Sequence, residues 1–599
     1  MTYHDTQESL QANARWDKPI HHERPIRIIC IGAGASGLLF AYKLQRSFRN
    51  FSLTVYDKNP EISGTWTENR YPGCACDVPS HSYTYSFFPN PDFTHYYSGS
   101  AEIRKYFQKF ASTFGLERFV KTQHEVKAAN WDDAQSKWVV EVMDVKSREV
   151  ITDSGDFLIN ATGFLNNWQW PKVDGLDTFK GDLAHTARWP EDLDLRGKRV
   201  GLIGNGSSGI QVLPAIQPYV SSLTTFIRHN TWITKPFGKS EPRPFTEEEL
   251  HEFRNDPSAL LEHRKEAESD MNNMFGVFLK DHPIQQDARK MNVEAMEVRL
   301  NKDKELSTRL IPDWSVGCRR YTPGPGYLEA LQAPNVNVVY GGVTEVLPNG
   351  CKTSTGEVFE LDTLICATGF DVSHRPRFPL VGKDGVNLQD TWAKSPRSYM
   401  SMGAPDMPNY IMVMGPNSPS GNGPVLSAIE AQVSYALRMI DRLQTENIRS
   451  FVPKDSAVEA FNDYVDTFME KTVWKDVCKS WYKNGTTNGR VTGLWPGSTL
   501  HFLEAVREPR WEDWEVSYEG NPLSWLGNGY SQCETTPGAD LAWYLYDEDR
   551  TEWGSRWKRR EEEIMPTTAK VEKNSGEKVE EKRQAENGGL RRDSAAAVA

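Results

Sequence analysis

Short apolar runs alternate with stretches of helical period through the first 235 residues. Ile26-Arg27-Ile28-Ile29-Cys30-Ile31 has the length and β-branched content of a buried strand. A glycine-rich turn follows, then Leu38-Leu39-Phe40-Ala41-Tyr42-Lys43-Leu44 at helical period, then a second strand run at Phe51–Tyr56. The same order returns at Val200-Gly201-Leu202-Ile203 and Leu223–Ile227. Strands alternating with helices predict an α/β fold built on parallel sheets. From Phe245 to about Asp313 the pattern becomes helical and charge-rich. Thr246 with Glu249 predicts a capping box there, and Leu250 and Phe253 begin an apolar face. Strand runs resume at Val336–Tyr340 and Leu361–Ala367. Beyond Thr551 the chain has no sustained apolar face, which predicts disorder.

The two glycine turns carry the first chemistry. Gly32-Ala33-Gly34-Ala35-Ser36-Gly37 joins strand to helix, and Asp57 ends the next strand 20 residues past Gly37. Gly32 permits the tight turn, Gly34 lets a pyrophosphate reach the backbone, and Gly37 lets helix and strand pack closely. The helix N-terminus favours the phosphates, and Asp57 can accept from ribose hydroxyls. The second turn is Gly204-Asn205-Gly206-Ser207-Ser208-Gly209, and its following strand ends at Arg228. An acid there would repel a 2′-phosphate, whereas an arginine can pair with it, so this site is expected to take NADPH. His229 beside it is a candidate further contact. Two strand ends read Ala161-Thr162-Gly163 and Ala367-Thr368-Gly369, where the chain could cross between nucleotide units. Together these features imply a flavoprotein binding two dinucleotides, with the nicotinamide domain inserted in the flavin domain.

Composition narrows the classes. The 599 residues leave room for about three or four domains. A net charge of -12 argues against a nucleic-acid partner or an anionic membrane surface. No apolar run approaches the roughly 20 residues of a membrane span, and the polar N-terminal stretch lacks the apolar middle of a secretory signal, so the expected compartment is the cytoplasm. The 8 cysteines have no zinc-ligand spacing, no metal site is expected, and a chain of this size is expected to need no disulfide. The absence of a C-x-x-C argues against a disulfide reductase.

Phe179-Lys180-Gly181-Asp182-Leu183-Ala184-His185-Thr186-Ala187-Arg188-Trp189-Pro190 matches the pattern F-x-G-x-x-x-H-x-x-x-W-P/D. It lies between the first A-T-G and the second glycine loop, as in the Baeyer–Villiger monooxygenases, which the chain resembles over roughly residues 25–545. Gly64-Thr65-Trp66, Asn69-Arg70-Tyr71-Pro72-Gly73-Cys74-Ala75-Cys76-Asp77 and Tyr83 resemble that family's flavin-side segments. By this likeness Thr65, Trp66, Asp77, Val78 and Tyr83 join the glycine loop in holding FAD. Gly317-Cys318-Arg319-Arg320 resembles the family's G-x-K-R stretch, with Arg320 at the active-site arginine and Arg319 replacing a phosphate-binding lysine. Ser480-Trp481-Tyr482 through Gly489-Arg490 resembles the loop that closes over NADP and substrate, but Lys483-Asn484-Gly485-Thr486-Thr487-Asn488 departs from the usual G-A-N-x-P.

The resemblance implies two Rossmann-like domains with a helical insertion. Residues 1–25 are read as a polar lead-in, 26–165 and 362–550 as the FAD domain, and 166–197 as the linker bearing the motif. Residues 198–240 and 316–361 are read as the NADPH domain, 241–315 as the insertion and 551–599 as the tail. It further implies that NADPH reduces FAD, that the flavin activates O2, and that one oxygen is inserted beside a ketone carbonyl to give an ester or lactone. The catalytic candidates are Arg320, which would stabilise negative charge, Asp77, which would orient it, and His185 at the domain hinge. Arg320 as one more phosphate cation, Asp77 as a turn carboxylate and His185 as a linker histidine remain open. So does N- or S-oxidation, which the same fold serves, although Trp189-Pro190 favours ketone oxidation. Similarity is nearest to the fungal secondary-metabolism branch; the ketone and the oligomeric state are not implied.

Overall fold

A computed structural model describes residues 17–235 and 242–545. The tail expected beyond Thr551 and the first part of the polar lead-in lie outside these residues. Two five-stranded parallel sheets organise the molecule. In the first the order is Tyr410–Met412, Phe157–Asn160, Ile26–Ile31, Phe51–Tyr56, Val120–Lys121. Its register pairs Ile28 with Leu53 on one side and with Phe157 on the other. Strand Tyr410–Met412, from far along the chain, adds beside Phe157–Asn160. The second order is Val336–Tyr340, Ser222–Ile227, Arg199–Ile203, Thr363–Cys366, Asp182–His185. Every strand of the second sheet lies between two strands of the first in sequence, so one nucleotide-type sheet is threaded inside the other.

The central strands are apolar because both faces are covered. Ile28, Ile29 and Cys30 are fully buried, as are Leu38, Leu39 and Phe40 on helix Ala35–Ser47. Burying each such large side chain contributes about 1.5–3 kcal/mol. Close approach of helix to strand depends on glycine. A Cβ on Gly37 would sit 1.9 Å from the Gly32 carbonyl oxygen, and one on Gly209 would sit 2.1 Å from that of Gly204. Gly32 and Gly204 have φ of 104° and 107°, which a side chain would strain.

A separate four-stranded sheet is formed by Leu380–Val381, His124–Asp132, Lys137–Asp144 and Val150–Gly155, the last three lying inside the segment read as the first part of the FAD domain. Its long strands are antiparallel neighbours, and Val126, Ala129 and Trp131 bury one side of the first. Period-two alternation was the available signal for it.

The insertion is helical. Helices Glu247–Asn255, Pro257–Asn272, Pro283–Arg299 and Lys304–Leu310 occupy it. The Thr246–Glu249 capping box forms in both directions, and Leu250 and Phe253 are buried. Arg264 is 7% exposed and fastens the insertion to the flavin-side segment. Its guanidinium donates to the carbonyls of His81 (3.2 Å), Ser86 (3.1 Å) and Tyr85 (3.0 Å). Three acceptors satisfy a buried cation that would otherwise be strongly destabilising.

The described end of the polar lead-in is docked: Arg24 donates to the Leu443 and Ile448 carbonyls at 3.0 Å each, and Ile20 N–H to Tyr530 O at 2.9 Å. Polar composition concealed this because the contacts are made to backbone. Chain size gave no reason to expect a disulfide, yet Cys318 and Cys478 are bonded across a sequence separation of 160. Chain size argues only that a core needs no staple; it is silent about two segments that meet at a site. Among the described residues no helix is long and apolar enough to cross a membrane.

The glycine contacts give a stability test. Gly37→Ala should destabilise the protein by about 1–3 kcal/mol, as overpacking against fixed backbone does, and should lower the thermal midpoint of unfolding. An unchanged midpoint would contradict the packing described.

Candidate active site

Both glycine loops end in helices that lack a side-chain cap. Helix Ala35–Ser47 starts from Gly34, helix Ser207–Ile216 from Gly206, and neither has an acid in its first turn. Their first N–H groups are therefore available to an anion. The middle glycines face room: nothing lies within 4 Å of a Cβ built on Gly206, and only Gly64 backbone atoms, at 3.5 Å or more, approach one on Gly34. These cradles fit the pyrophosphates of two dinucleotides. Gly64, at φ 51°, packs over Gly34 and starts the short helix Thr65–Glu68. Thr65 is exposed at its first position, Trp66 is buried, and the Trp66 indole N–H donates to the Tyr83 hydroxyl at 3.3 Å. Val78 is half-buried against the main core.

The ribose positions differ in charge and in engagement. Asp57 is buried; its carboxylate accepts from Ala33 N–H at 2.7 Å and from Asn59 N–H at 2.8 Å. Burial raises its pKa above the usual carboxylate value, and the two backbone donors oppose that shift. Asp57 thus braces the first glycine loop with lone pairs to spare. Arg228 is exposed and, among the described residues, has no acidic partner. Two other cations, Arg319 and Lys479, gather round it with His229. Burial, then Arg228, Arg319 and Lys479, lower the His229 pKa, and burial, then Arg228, lowers that of Arg319. Arg319 donates to Lys479 O at 2.5 Å and Asn230 O at 3.1 Å and lies over the Trp314 ring. The Asn205 amide donates to His229 O at 2.8 Å, tying the second loop to this patch. Such a cluster suits a 2′-phosphate. Ser207 and Ser208 are half-buried at the start of the second helix, and Gly209 is buried beneath it.

Asp77 and Arg320 meet across 243 residues of sequence. Arg320 Nε and Nη2 each donate to one Asp77 oxygen at 2.7 Å, a planar bidentate pair. Asp77 is the largest cause of the raised Arg320 pKa, so the guanidinium stays charged despite desolvation. Nη1 makes only a long 3.5 Å approach to Ser420 O, which leaves donors unused. Gly317, at φ 89°, starts the turn that presents this arginine; a Cβ there would meet the Phe278 ring at 2.7 Å.

His185 stands elsewhere. It ends strand Asp182–His185, paired in register with Cys366, and no contact joins it to the Asp77–Arg320 pair among the described residues. Its Nδ1 accepts from Ala187 N–H at 3.1 Å, its Nε2 lies 3.2 Å from the Thr368 hydroxyl, and its ring stacks on Trp168. Burial lowers its pKa to about 4, so it is neutral at pH 7. It thereby ties the signature segment to the second A-T-G end.

Trp481 stacks on Phe164 with centroids 5.5 Å apart, so its loop is seated on the residue after the first A-T-G. Sequence reasoning passed over Phe164, although an aromatic directly after Gly163 was visible. It also passed over Tyr71–Gln211, where the Tyr71 hydroxyl donates at 2.7 Å and binds the flavin-side segment to the second nucleotide helix.

Comparison with known proteins places this architecture. Residues 30–99 match the family model of an NAD(P)-binding Rossmann-like domain. The chain is 42% identical over 521 residues to the FAD-binding monooxygenase moxY of Dothistroma septosporum, covering 85% of this chain and 82% of that one. It is 35% identical over 503 residues to a Baeyer–Villiger monooxygenase of Streptomyces coelicolor, covering 83% and 93%. The crystal structure of cyclohexanone monooxygenase from Rhodococcus sp. Phi1 bound to NADP+ superposes with a TM-score of 0.71 at 26% identity, covering 83% of this chain and 100% of that one. The relatives and this fold of two dinucleotide-binding units together make the protein a flavoprotein monooxygenase. Within that class the chain belongs to the Baeyer–Villiger monooxygenase family.

Two substitutions test the nucleotide sites. Gly34→Val should fold, because its surroundings have room, yet purify without FAD; a folded variant retaining stoichiometric yellow flavin would refute the cradle. Arg228→Ala should raise the NADPH KM about tenfold or more and narrow the preference over NADH, since one charge-assisted contact contributes roughly 1.5–3 kcal/mol. Equal kcat/KM for the two nucleotides in the unmodified enzyme would contradict this assignment.

Proposed function

We propose that the chain inserts one oxygen atom of O2 beside a ketone carbonyl, giving an ester or lactone. The observation that carries this reading is the Asp77–Arg320 fork, which holds a permanent cation with unused donors. FAD would supply oxygen activation and NADPH the hydride. The first glycine loop with Gly64, Trp66 and Tyr83 would hold the flavin, and the second loop with Arg228 and Arg319 the nicotinamide nucleotide. Arg320 then stabilises the negative charge that develops on the carbonyl oxygen under nucleophilic attack. Asp77 fixes the plane of the guanidinium and keeps it from swinging to a phosphate. The stacked Trp481 loop keeps water out of a reaction that loses oxidising power when wetted. His185 acts as a positioning residue at the crossing between the sheets. Relatives at 42% and 38% identity come from the fungi Dothistroma septosporum, Emericella nidulans and Aspergillus terreus, which favours a ketone of fungal secondary metabolism.

Arg320→Ala tests the reading. Loss of one stabilising donor set costs about 3–4 kcal/mol, so ketone oxygenation should fall on the order of 100- to 1000-fold while FAD stays bound. Arg320→Lys should rescue poorly, because a point charge cannot reproduce the fork. Near-normal ester formation by Arg320→Ala, followed by product mass, would make Arg320 a phosphate ligand and favour heteroatom oxidation.

A further inference from the structure

The only disulfide among the described residues joins two segments of the site rather than two parts of a core. Cys318 immediately precedes Arg319 and Arg320, and Cys478 lies two residues before Ser480-Trp481. The same two segments also touch through Ser315 Oγ donating to Asp476 Oδ2 at 2.5 Å and through Arg319 donating to Lys479 O. The remaining described cysteines are free; five are buried and Cys533 is partly exposed. A second feature singles out the bonded pair. The Lys483 ammonium is buried, donates to Asp476 O at 2.5 Å and lies 3.8 Å from Cys478 Sγ. Lys483 falls where the loop departs from the pattern of the family it resembles. A cation beside a sulfur lowers the thiol pKa and makes that sulfur the better leaving group in thiol–disulfide exchange.

We propose that Cys318–Cys478 is a thiol-exchange site, through which a dithiol reductant loosens the Trp481 loop and weakens its hold on the nicotinamide nucleotide. Both bonded cysteines are buried, so a thiolate of the reductant reaches and attacks Cys318 Sγ when the loop opens. The S–S bond breaks, and Cys478 departs as a thiolate beside the Lys483 ammonium. The reductant's second thiol then attacks the mixed disulfide and releases Cys318. Two electrons and two protons pass from the dithiol to the protein, and the reductant leaves as its own disulfide. Burial lowers the Lys483 pKa to about 8, with Asp476 opposing and Lys475, Arg319 and Lys280 reinforcing the shift, so the group is still mainly protonated at pH 7. Once the bond is cut, the loop depends on the Phe164–Trp481 stack, the Arg319–Lys479 and Ser315–Asp476 hydrogen bonds, and the bridge between Ser480 and Thr486.

The inference rests on the reading of this loop as a cover for the nicotinamide nucleotide, and its test separates the two. Holoenzyme is incubated with or without dithiothreitol, and NADP+ affinity is measured by titration. If the cut loop is closed about one tenth of the time, Kd for NADP+ should rise about tenfold with FAD retained. Iodoacetamide should modify Cys318 and Cys478 only after reduction, with Cys533 as the labelling control. Cys318→Ser/Cys478→Ser should start at the weaker affinity and ignore dithiothreitol. Lys483→Gln should slow reduction. Equal NADP+ affinity in both redox states, or alkylation of both cysteines without reductant, would overturn the proposal. Unchanged reduction by Lys483→Gln would overturn the part given to the lysine. No NADP+ binding in either state would instead overturn the nucleotide assignment beneath it.

Discussion

A guanidinium that has lost much of its water stays charged and aimed only if something fixed offsets that loss, and the arrangement round the half-buried Arg320 follows from that requirement. Asp77 offsets it with two parallel hydrogen bonds of 2.7 Å. The two residues come from segments with no local relation, so the pair forms only when the flavin-side segment and the turn at Gly317 are both in place. Breaking such a half-buried pair leaves a partly desolvated charge without its partner, which costs more than breaking a fully exposed ion pair. The glycine at 317, the Tyr71–Gln211 bond and the insertion helices held by Arg264 can all be understood as supports for this one meeting.

Threading one sheet inside the other has a mechanical counterpart in the contacts at the crossings. A Cβ on Gly32 would lie 2.5 Å from Ala161 O, and a Cβ on Gly204 would lie 2.5 Å from Ala367 O. Each A-T-G strand end therefore lies directly against its own glycine loop. His185 and Thr368 meet at the second crossing, and Phe164 with Trp481 just past the first. The linkage between nucleotide loops and chain crossings is thus made by direct contact of backbone and ring.

How much was legible in the sequence follows from how local each determinant is. Strand runs such as Val336–Tyr340, the glycine loops and the Thr246–Glu249 box are written in neighbouring residues, and the structure places them where the pattern does. The sheet built on His124–Asp132 was overlooked because dinucleotide motifs on either side drew the segment into one unit. Docking of residues 17–25 was hidden because it uses backbone acceptors, which any sequence supplies. The Cys318–Cys478 bond is not readable from spacing, since pairing depends on where two distant loops arrive. At the site, Asp77 and Arg320 were each visible by resemblance, and the structure brings them together in a fork. Phe164, Lys483 and Gln211 needed coordinates, because their importance lies in what they touch.

The two glycine loops are near copies, down to the 2.5 Å approach of a carbonyl beneath each first glycine. Backbone geometry so similar has little power to tell one dinucleotide from another. Discrimination is left to the strand-end residue: a buried carboxylate already bonded to its own loop at Asp57, and an exposed cation without an acidic partner at Arg228. A single charge of opposite sign at equivalent places thus acts as a sorting label. Under the proposed assignment it would keep a phosphorylated ribose out of one berth and draw it to the other, so that electron donor and acceptor would not exchange seats.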